Sequence, residues 1–287
     1  MVFSSLNFLL IFLPIVLLLH SVLPFKYKNI VLLAASIIFY AWGEPVYVIL
    51  MILSIGFNYM SGLVLGELED PHMRKRQLIF AVAVNLLLLG FFKYAGFLVI
   101  NAILPLKIEF RSLALPVGIS FYTFQALSYV IDVYRKKVKP QENLLNFAVY
   151  ITMFPQLVAG PIVKYSDIEL QLSNRRISRA KFGQGIERLL FGLSKKVLLA
   201  NNLGLLYETI QASGSRSIMT SWLGIFAYTL QIYFDFSGYS DMAIGMGKML
   251  GFTFPENFNF PYISDSITEF WRRWHMTLSG WFREYVY

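Results

Sequence analysis

The chain has no cysteine among its 287 residues. This absence excludes disulfides, thiolate metal sites, palmitoylation and a cysteine nucleophile. Charged residues are also scarce, at 15% of the chain, against about 25% in ordinary soluble domains. Any group-transfer chemistry must therefore use hydroxyls, carboxylates or one of only three histidines.

Hydrophobic residues make up 56% of the chain, and residues 1–65 carry only Lys26, Lys28 and Glu44 as charges. A soluble fold would not leave so long a stretch without a polar face, so the sequence predicts a polytopic membrane protein. The net charge of +8 does not indicate a nucleic-acid partner. The basic residues cluster between apolar runs, as in cytoplasmic loops beside anionic lipid.

A membrane-spanning helix needs about 20 apolar residues. Because Met1 to Asn7 carries no basic residue, we expect the first apolar segment to remain as a transmembrane helix rather than a cleaved signal peptide. The apolar segments of the first half are Phe3–Leu23, Asn29–Trp42, Val46–Leu65, Leu78–Leu104 and Leu113–Val133.

Orientation follows from the connections between these segments. Basic clusters follow the first, third and fifth of them, at residues 26–28, 74–76 and 135–139. The other two connections carry Glu44 in one case, and Lys107, Glu109 and Arg111 in the other. The alternation predicts an extracytoplasmic N-terminus and basic loops in the cytoplasm.

The second half is less regular. Leu144–Val163 contains two prolines and a glycine and has basic residues on both sides, which predicts a re-entrant segment. The alternative is a proline-kinked spanning helix. Residues 182–210 read as an interfacial helix, with Lys195 and Lys196 reaching the headgroups. We expect a single membrane domain over residues 1–287.

Ser221–Phe236 reads as an apolar span carrying Gln231 and Asp235. Ser237–Asp241 is expected to break it, and Met242–Leu250 to form another helix. An acidic side chain in or beside a span usually faces a polar interior, so Asp235 and Asp241 are candidate supporting residues. For Asp241 the alternative is a carboxylate at a helix N-terminus.

The last eighteen residues hold three of the five tryptophans and one of the three histidines. At about 100° per residue, one helix over this segment would gather its aromatic side chains on one face. That face would consist of Trp271, Trp274, His275, Leu278, Trp281, Phe282 and Tyr285.

His275 is the strongest candidate for chemistry, because an imidazole can take a proton from a hydroxyl as a general base. Ser279 follows four residues later, within reach of a hydrogen bond. The alternative is a structural histidine in a helix interface, and Trp271, Trp274 and Trp281 could equally form an interfacial belt. His20 and His72 look isolated and structural. No metal-ligand spacing is visible.

Several segments together carry a family resemblance. The chain resembles the membrane-bound O-acyltransferase (MBOAT) family, and within it the alginate O-acetyltransferase branch. The matching segments, in the family's order, are residues 116–125 (PVGISFYTFQ), 154–161 (FPQLVAGP), 231–241 (QIYFDFSGYSD), 256–258 (ENF) and 270–287.

The resemblance implies an all-α, multi-helix membrane bundle around a funnel or tunnel. An acyl group, from acetyl-CoA as donor substrate and with no bound cofactor, would move from the cytoplasmic side toward an extracytoplasmic acceptor. The acceptor would be a polysaccharide such as alginate or peptidoglycan, reached through an acyl relay or transferase protein. The setting would be the bacterial inner membrane, with lipid as the surrounding partner.

One departure from the family pattern limits this expectation. Family members carry a second histidine on a later membrane segment, usually regarded as the principal catalytic residue. The chain matches only about the N-terminal three fifths of a typical member and does not contain that segment. His275 matches the first histidine, so we expect it to act as a polar tunnel residue or an auxiliary base. One alternative is a catalytically inactive truncated fragment or membrane scaffold, and another is D-alanyl transfer to teichoic acid. A third is a transporter, but transporters often contain paired internal repeats, and no repeat is visible in this sequence.

Overall fold

A computed structural model describes residues 2–103, 115–158, 160–214 and 217–287. Within these residues the protein is helical and contains no β-strand, which confirms the all-α prediction. Leu104, Leu113 and Ala159, together with Lys107, Glu109 and Arg111, lie outside the described residues.

Contacts divide the chain into two compact units. Unit 1 comprises residues 1–23, 159–163 and 174–287, and unit 2 comprises residues 24–158 and 164–173. The single membrane domain expected from the sequence stays a prediction, and each unit is described by itself.

Unit 2 contains most of the helices anticipated in the first half of the chain. They are α2 (Phe25–Gly43), α3 (Tyr47–Glu67), α4 (Pro71–Ile103), α5 (Ile119–Tyr134), α6 (Leu144–Thr152), α7 (Phe154–Leu157) and α8 (Tyr165–Ser173). Asn58 of α3 and Asn85 of α4 exchange amide hydrogen bonds of 2.8 and 3.1 Å in the apolar interior. Each amide thus satisfies the other, which makes their burial tolerable.

The segment from residue 144 to 163 is interrupted, as expected. Met153 has φ −47° and ψ 111° and separates α6 from the single turn α7. The side chain of Gln156 donates to the Tyr150 carbonyl at 2.6 Å, and the Ser36 hydroxyl accepts from the Phe154 N–H at 3.1 Å. These side chains satisfy backbone groups that the break releases. The break excludes one kinked helix; the dip into the bilayer stays a prediction.

Unit 1 begins with α1 (Leu13–Val22), preceded by a π-helical turn at Phe8–Phe12. Its two long antiparallel elements come next. One consists of α9 (Arg179–Ser194), a π-helical turn (Lys195–Ala200) and α10 (Asn201–Ala212); the other is α11 (Ile218–Met249). A 3₁₀ turn (Pro261–Ile263), α12 (Ile267–Arg273) and α13 (Met276–Tyr285) follow.

The expected break at Ser237–Asp241 is wrong, because α11 runs through it without interruption. Close packing against α9 explains the continuity. A Cβ added at Gly192 would lie 2.5 Å from the Gly238 carbonyl oxygen, and one at Gly245 would lie 2.7 Å from the Gly185 carbonyl oxygen. Small residues that look like helix breakers instead let two backbones approach.

Among the described residues, three helical segments are long and apolar enough to cross a membrane: Tyr47–Glu67, Pro71–Tyr94 and Arg179–Ala212. Phe8–Val22 is a shorter apolar helix. The third of these candidate spans includes residues 182–210, and the interfacial character predicted for that helix stays a prediction. Lys195 and Lys196 do not extend along its surface, because both form ion pairs with aspartates of α11.

Candidate active site

His275 lies in a sharp turn between two short helices. Trp274 ends α12 in an extended conformation, with ψ 127°, and His275 takes left-handed backbone angles, φ 44° and ψ 53°, before α13 begins. A left-handed conformation costs a non-glycine residue about 1–2 kcal/mol. The surrounding contacts must hold this turn in place.

The loop before α12 supplies those contacts. The Met276 N–H donates to the Asn257 carbonyl at 2.9 Å, and the Asn259 N–H donates to the Arg273 carbonyl at 2.9 Å. In an uninterrupted helix the Met276 N–H would bond to the carbonyl four residues earlier. The loop therefore replaces helical hydrogen bonds, and the single helix predicted over the last eighteen residues is wrong.

Because the helix is broken, the three tryptophans of the motif do not share a face. Trp274 packs against Phe258 and Phe270, with ring centroids 5.1 and 5.6 Å away. Trp281 is buried on α13, whereas Trp271 is 53% exposed. Only Trp274 belongs to the aromatic cluster beside His275.

The imidazole of His275 is buried and hydrogen-bonded. Its Nδ1 lies 2.9 Å from Oδ1 of Asn257, and the ring of Phe236 meets it edge-on with centroids 4.9 Å apart. The same Oδ1 accepts from the Thr277 hydroxyl at 2.8 Å, and the Asn257 amide donates to Ser240 Oγ at 2.9 Å. Among the described residues, none donates a hydrogen bond to Nε2.

Burial determines the protonation of this histidine. His275 lies outside the candidate membrane spans and is 9% exposed. Desolvation disfavours the charged imidazolium and lowers the pKa of His275 from its usual 6.5 to about 4. The side chain is therefore neutral near neutral pH, the form in which an imidazole can accept a proton.

A charged cavity of about 620 Å³ adjoins the turn. Arg188 Nη2 lies 2.6 Å from both Asp241 Oδ1 and Glu256 Oε2, and Lys195 Nζ lies 2.7 Å from Asp241 Oδ2. Met276, the residue after His275, lines the cavity together with aromatic side chains. These ion pairs connect Glu256, the residue before Asn257, to Arg188 of α9, and through Arg188 to Asp241 of α11.

The other predicted site residues have different partners. Asp235 pairs with Lys196, and its side chain is 46% exposed. The Ser279 hydroxyl donates to the Trp271 carbonyl at 3.0 Å. The structure therefore brings Asp241 to the cavity beside His275, places Asp235 in a separate ion pair, and gives Ser279 a backbone partner rather than the imidazole.

His20 is not isolated, contrary to the sequence prediction. It is 1% exposed, and its Nε2 lies 3.1 Å from Nη2 of Arg175. The Arg175 guanidinium also donates to the Leu250 carbonyl at 3.1 Å and lies 4.5 Å from the centroid of the Phe252 ring. Within unit 1, this contact fastens α1 to the chain around α11.

Asn257, Arg188 and Lys195 were missed as site residues by sequence reasoning. Asn257 lies 18 residues before His275 in an irregular loop flanked by Pro255 and Pro261, so no helical spacing relates the two. The only available signal was the ENF segment of the family resemblance. In the described parts of the chain, no group of three or more histidine, aspartate or glutamate residues could hold a metal ion.

The model of the membrane-bound O-acyltransferase family matches residues 139–287, which include the Asn257–His275 contact. The protein named "Probable alginate O-acetylase AlgI" of Pseudomonas aeruginosa is 46% identical over all of this chain and 56% of its own length. The corresponding protein of Azotobacter vinelandii is also 46% identical, over 59% of its length.

Two other named acyltransferases are more distant. The peptidoglycan O-acetyltransferase of Helicobacter pylori is 34% identical over all of this chain and 61% of its own length. The teichoic acid D-alanyltransferase of Bacillus subtilis is 30% identical over 59% of this chain. The chain spans 56–61% of the relatives that it matches in full, which agrees with the expected three fifths.

Proposed function

The chain belongs to the membrane-bound O-acyltransferase family, and from this premise we propose that it transfers an acyl group, most readily acetyl, to a polysaccharide hydroxyl. The donor is acetyl-CoA on the cytoplasmic side of the bacterial inner membrane. The acceptor is an extracytoplasmic polysaccharide such as alginate or peptidoglycan, reached directly or through an acyl relay protein. The relatives are longer than this chain. That these 287 residues are active by themselves is therefore also a proposal.

One observation carries the proposal for the site: a buried, neutral histidine whose second nitrogen has no hydrogen-bond donor among the described residues. In acyl transfer the hydroxyl oxygen attacks the thioester carbonyl while a base takes its proton. The oxygen–acyl bond forms, the carbon–sulfur bond breaks, and the proton passes to the leaving thiolate. His275 Nε2 is the group that we assign to this proton transfer.

The remaining predicted residues support this centre in different ways. Asp241 neutralises Arg188 and Lys195 beside the cavity, and through Arg188 it helps hold Glu256, the residue before Asn257. Asp235 and Lys196 join α11 to the π-helical turn that precedes α10. Ser279 fastens α13 to the end of α12. We assign structural roles to Asp235 and Ser279, and to Trp274 a role in excluding water.

The transfer of acetyl rather than D-alanyl groups is supported by the pattern of relatives. The three relatives named for O-acetyl transfer match the whole chain at 46%, 46% and 34% identity, whereas the named D-alanyltransferase matches 59% of it at 30%. D-alanyl transfer to teichoic acid therefore becomes an outcome of the test, as do an inactive scaffold and a transporter.

The test replaces His275 by glutamine in the complete gene and measures O-acetyl groups on the envelope polysaccharide. A general base contributes about 10²–10⁴-fold to rate, so H275Q should remove nearly all acetylation. H72Q is the matched control, because His72 is an exposed histidine of α4 outside unit 1. Equal acetylation by wild type and a normally inserted H275Q protein would remove His275 from the mechanism.

A second measurement addresses the donor. Purified protein in lipid vesicles is given acetyl-CoA and an oligosaccharide of alginate or peptidoglycan, and acetylated product is counted by mass spectrometry. Product that depends on His275 supports the enzyme. Binding without turnover, by a protein of the same length as its relatives, would favour the scaffold instead.

A further inference from the structure

Asn257 joins the His275 turn to the body of unit 1. The asparagine is fully buried, and its two amide atoms point to different elements. Oδ1 contacts His275 Nδ1 and Thr277 Oγ1 at 2.9 and 2.8 Å, and Nδ2 donates to Ser240 of α11 at 2.9 Å. One side chain thus attaches both the imidazole and the first turn of α13 to α11.

These contacts determine which atom of the amide faces the histidine. The Thr277 N–H points to the same Asn257 atom at 3.4 Å, and a backbone N–H can only donate, so that atom is the oxygen. The opposite amide atom meets Ser240 Oγ, a partner that accepts from an NH₂ group. The assignment of oxygen and nitrogen is therefore consistent at every contact.

The tautomer of His275 follows. Because an amide oxygen only accepts, the Nδ1 atom at 2.9 Å from it must carry the proton. In a neutral imidazole the other nitrogen then holds a lone pair. Nε2 is thereby the basic nitrogen.

We propose that Asn257 is a positioning residue that holds His275 in the Nδ1–H tautomer, so that Nε2 is available as the base. This inference rests on the proposed function of His275. The amide has a specific advantage over a carboxylate at this place. An aspartate would accept the same hydrogen bond but would add a negative charge that stabilises the imidazolium.

The charged groups of the neighbouring elements do not replace Asn257 in this role. Arg188 and Lys195 of α9 and the turn after it pair with Asp241 of α11 and with Glu256 of the loop. On α12, Glu269 pairs with Arg273. Desolvation is the cause of the lowered pKa of His275. The neutral side-chain amide of Asn257, rather than a charged group, is therefore the hydrogen-bond partner of the His275 imidazole.

Nitrogen NMR of the protein labelled with ¹⁵N-histidine tests the tautomer directly. The chain has only three histidines, and the His275 signals are those lost in H275Q. We expect a protonated Nδ1 and a pyridine-type Nε2 in the wild type. In N257L the Nδ1 acceptor is gone, and the protonation should shift toward Nε2. S240A, which removes only the far partner of the amide, should leave the wild-type pattern.

Activity provides the second readout. Partners that orient a metal-bound histidine through its other nitrogen are worth about 10–100-fold. By the same orienting effect, we expect N257L to lose acetylation on that order while remaining folded. N257D should retain the tautomer and raise the pKa of His275. The acid limb of its pH–rate profile should therefore move to higher pH, which reports that residue 257 contacts the titrating base. The tautomer measured in N257L is the readout that a merely structural role would not change.

The outcomes separate this inference from the proposed function. A protonated Nε2 in the wild type, or an unchanged tautomer in folded N257L, would overturn the role of Asn257 even if H275Q is inactive. If the tautomer depends on Asn257 but H275Q still acetylates, the positioning stands and the assignment of His275 as base fails. Should N257L not fold, the N257D profile decides, and an unshifted acid limb would contradict the proposal.

Discussion

At the scale of single residues, the site combines a strained backbone with a buried base. His275 has a left-handed backbone conformation that aspartate, asparagine and histidine adopt more often than other non-glycine residues. The conformation turns the chain between α12 and α13 and places the imidazole against Asn257 and Phe236. Hydrogen bonds from the loop hold this conformation, and the burial of the ring keeps the imidazole neutral.

The lowered pKa of His275 predicts a pH-dependent stability. Its folded value of about 4 lies below the ordinary 6.5, so between these values the unfolded chain binds more protons than the folded one. The free energy of unfolding should therefore fall as pH falls through this window, by about 2 kcal/mol between about pH 7 and pH 5. Above pH 6.5, the ordinary pKa, the histidine is neutral in both the folded and the unfolded chain, and this loss of stability is absent.

Thermal unfolding in detergent measures this contribution as a difference between proteins. Other titrating groups cancel when wild type is compared with H275Q at each pH. The advantage of wild type over H275Q should shrink on acidification, whereas H72Q should follow wild type throughout. A constant difference between wild type and H275Q across the window would show that the imidazole does not titrate there.

At the scale of helices, contact between α9 and α11 depends on four glycines. Gly185 and Gly192 of α9 meet Gly245 and Gly238 of α11, with backbone atoms where side chains would otherwise lie. These helices carry Arg188 and Asp241, so their spacing determines whether the two charges can meet at 2.6 Å. A wider separation would disturb the cavity as well as the packing.

Substitution of Gly192 by alanine should therefore destabilise unit 1. The added Cβ would lie 2.5 Å from the Gly238 carbonyl oxygen, a backbone atom that cannot move alone. Overpacking of this kind costs about 1–3 kcal/mol. G183A on the same helix meets nothing within 4 Å and should stabilise by about 0.5–1 kcal/mol, because alanine favours a helix.

Chemical unfolding of the two variants in the same detergent compares them. We expect the transition of G192A at a lower denaturant concentration than wild type, and that of G183A at an equal or higher one. If both variants unfold at a higher denaturant concentration than wild type, helix propensity rather than backbone contact would govern this interface.

Helix positions could be predicted from the sequence where the length of an apolar run sets them. They were mispredicted where a contact with a residue distant in the chain sets them. α3 and α4 lie where apolar runs predicted them, since both the lipid and the protein core require apolar residues in every turn of such a helix. Ser237 and Gly238 looked like a break because their partner on α9 is 46 residues away in the chain. Conversely, residues 271–285 looked like one helix because nothing local reveals that Asn257 captures the Met276 N–H.

The candidate site follows the same rule. His275 could be singled out from its residue type and its aromatic neighbours alone. Its hydrogen-bond partner could not, because Asn257 reaches it through an irregular loop. Asp241 was anticipated as a polar group in an apolar segment, but its two cationic partners depend on the packing of α9 against α11.

At the scale of the whole molecule, the direction of transfer depends on which side of the membrane each loop occupies. The distribution of basic residues predicts an extracytoplasmic N-terminus. The connection before α3 should then face outward and the connection before α4 should face the cytoplasm. This orientation is a premise of a cytoplasmic acyl donor, and it can be measured independently of activity.

Because the chain has no cysteine, a single introduced cysteine reports its own location. Val46, before α3, is 72% exposed, and Lys75 lies exposed in the first turns of α4. A membrane-impermeant maleimide should label V46C in intact spheroplasts and K75C only after permeabilisation. The two residues flank α3, a candidate span of 21 residues, so opposite accessibility would place that helix across the bilayer. The reverse labelling would invert the topology and put the acyl donor on the other side, and labelling of both in intact cells would exclude α3 as a span.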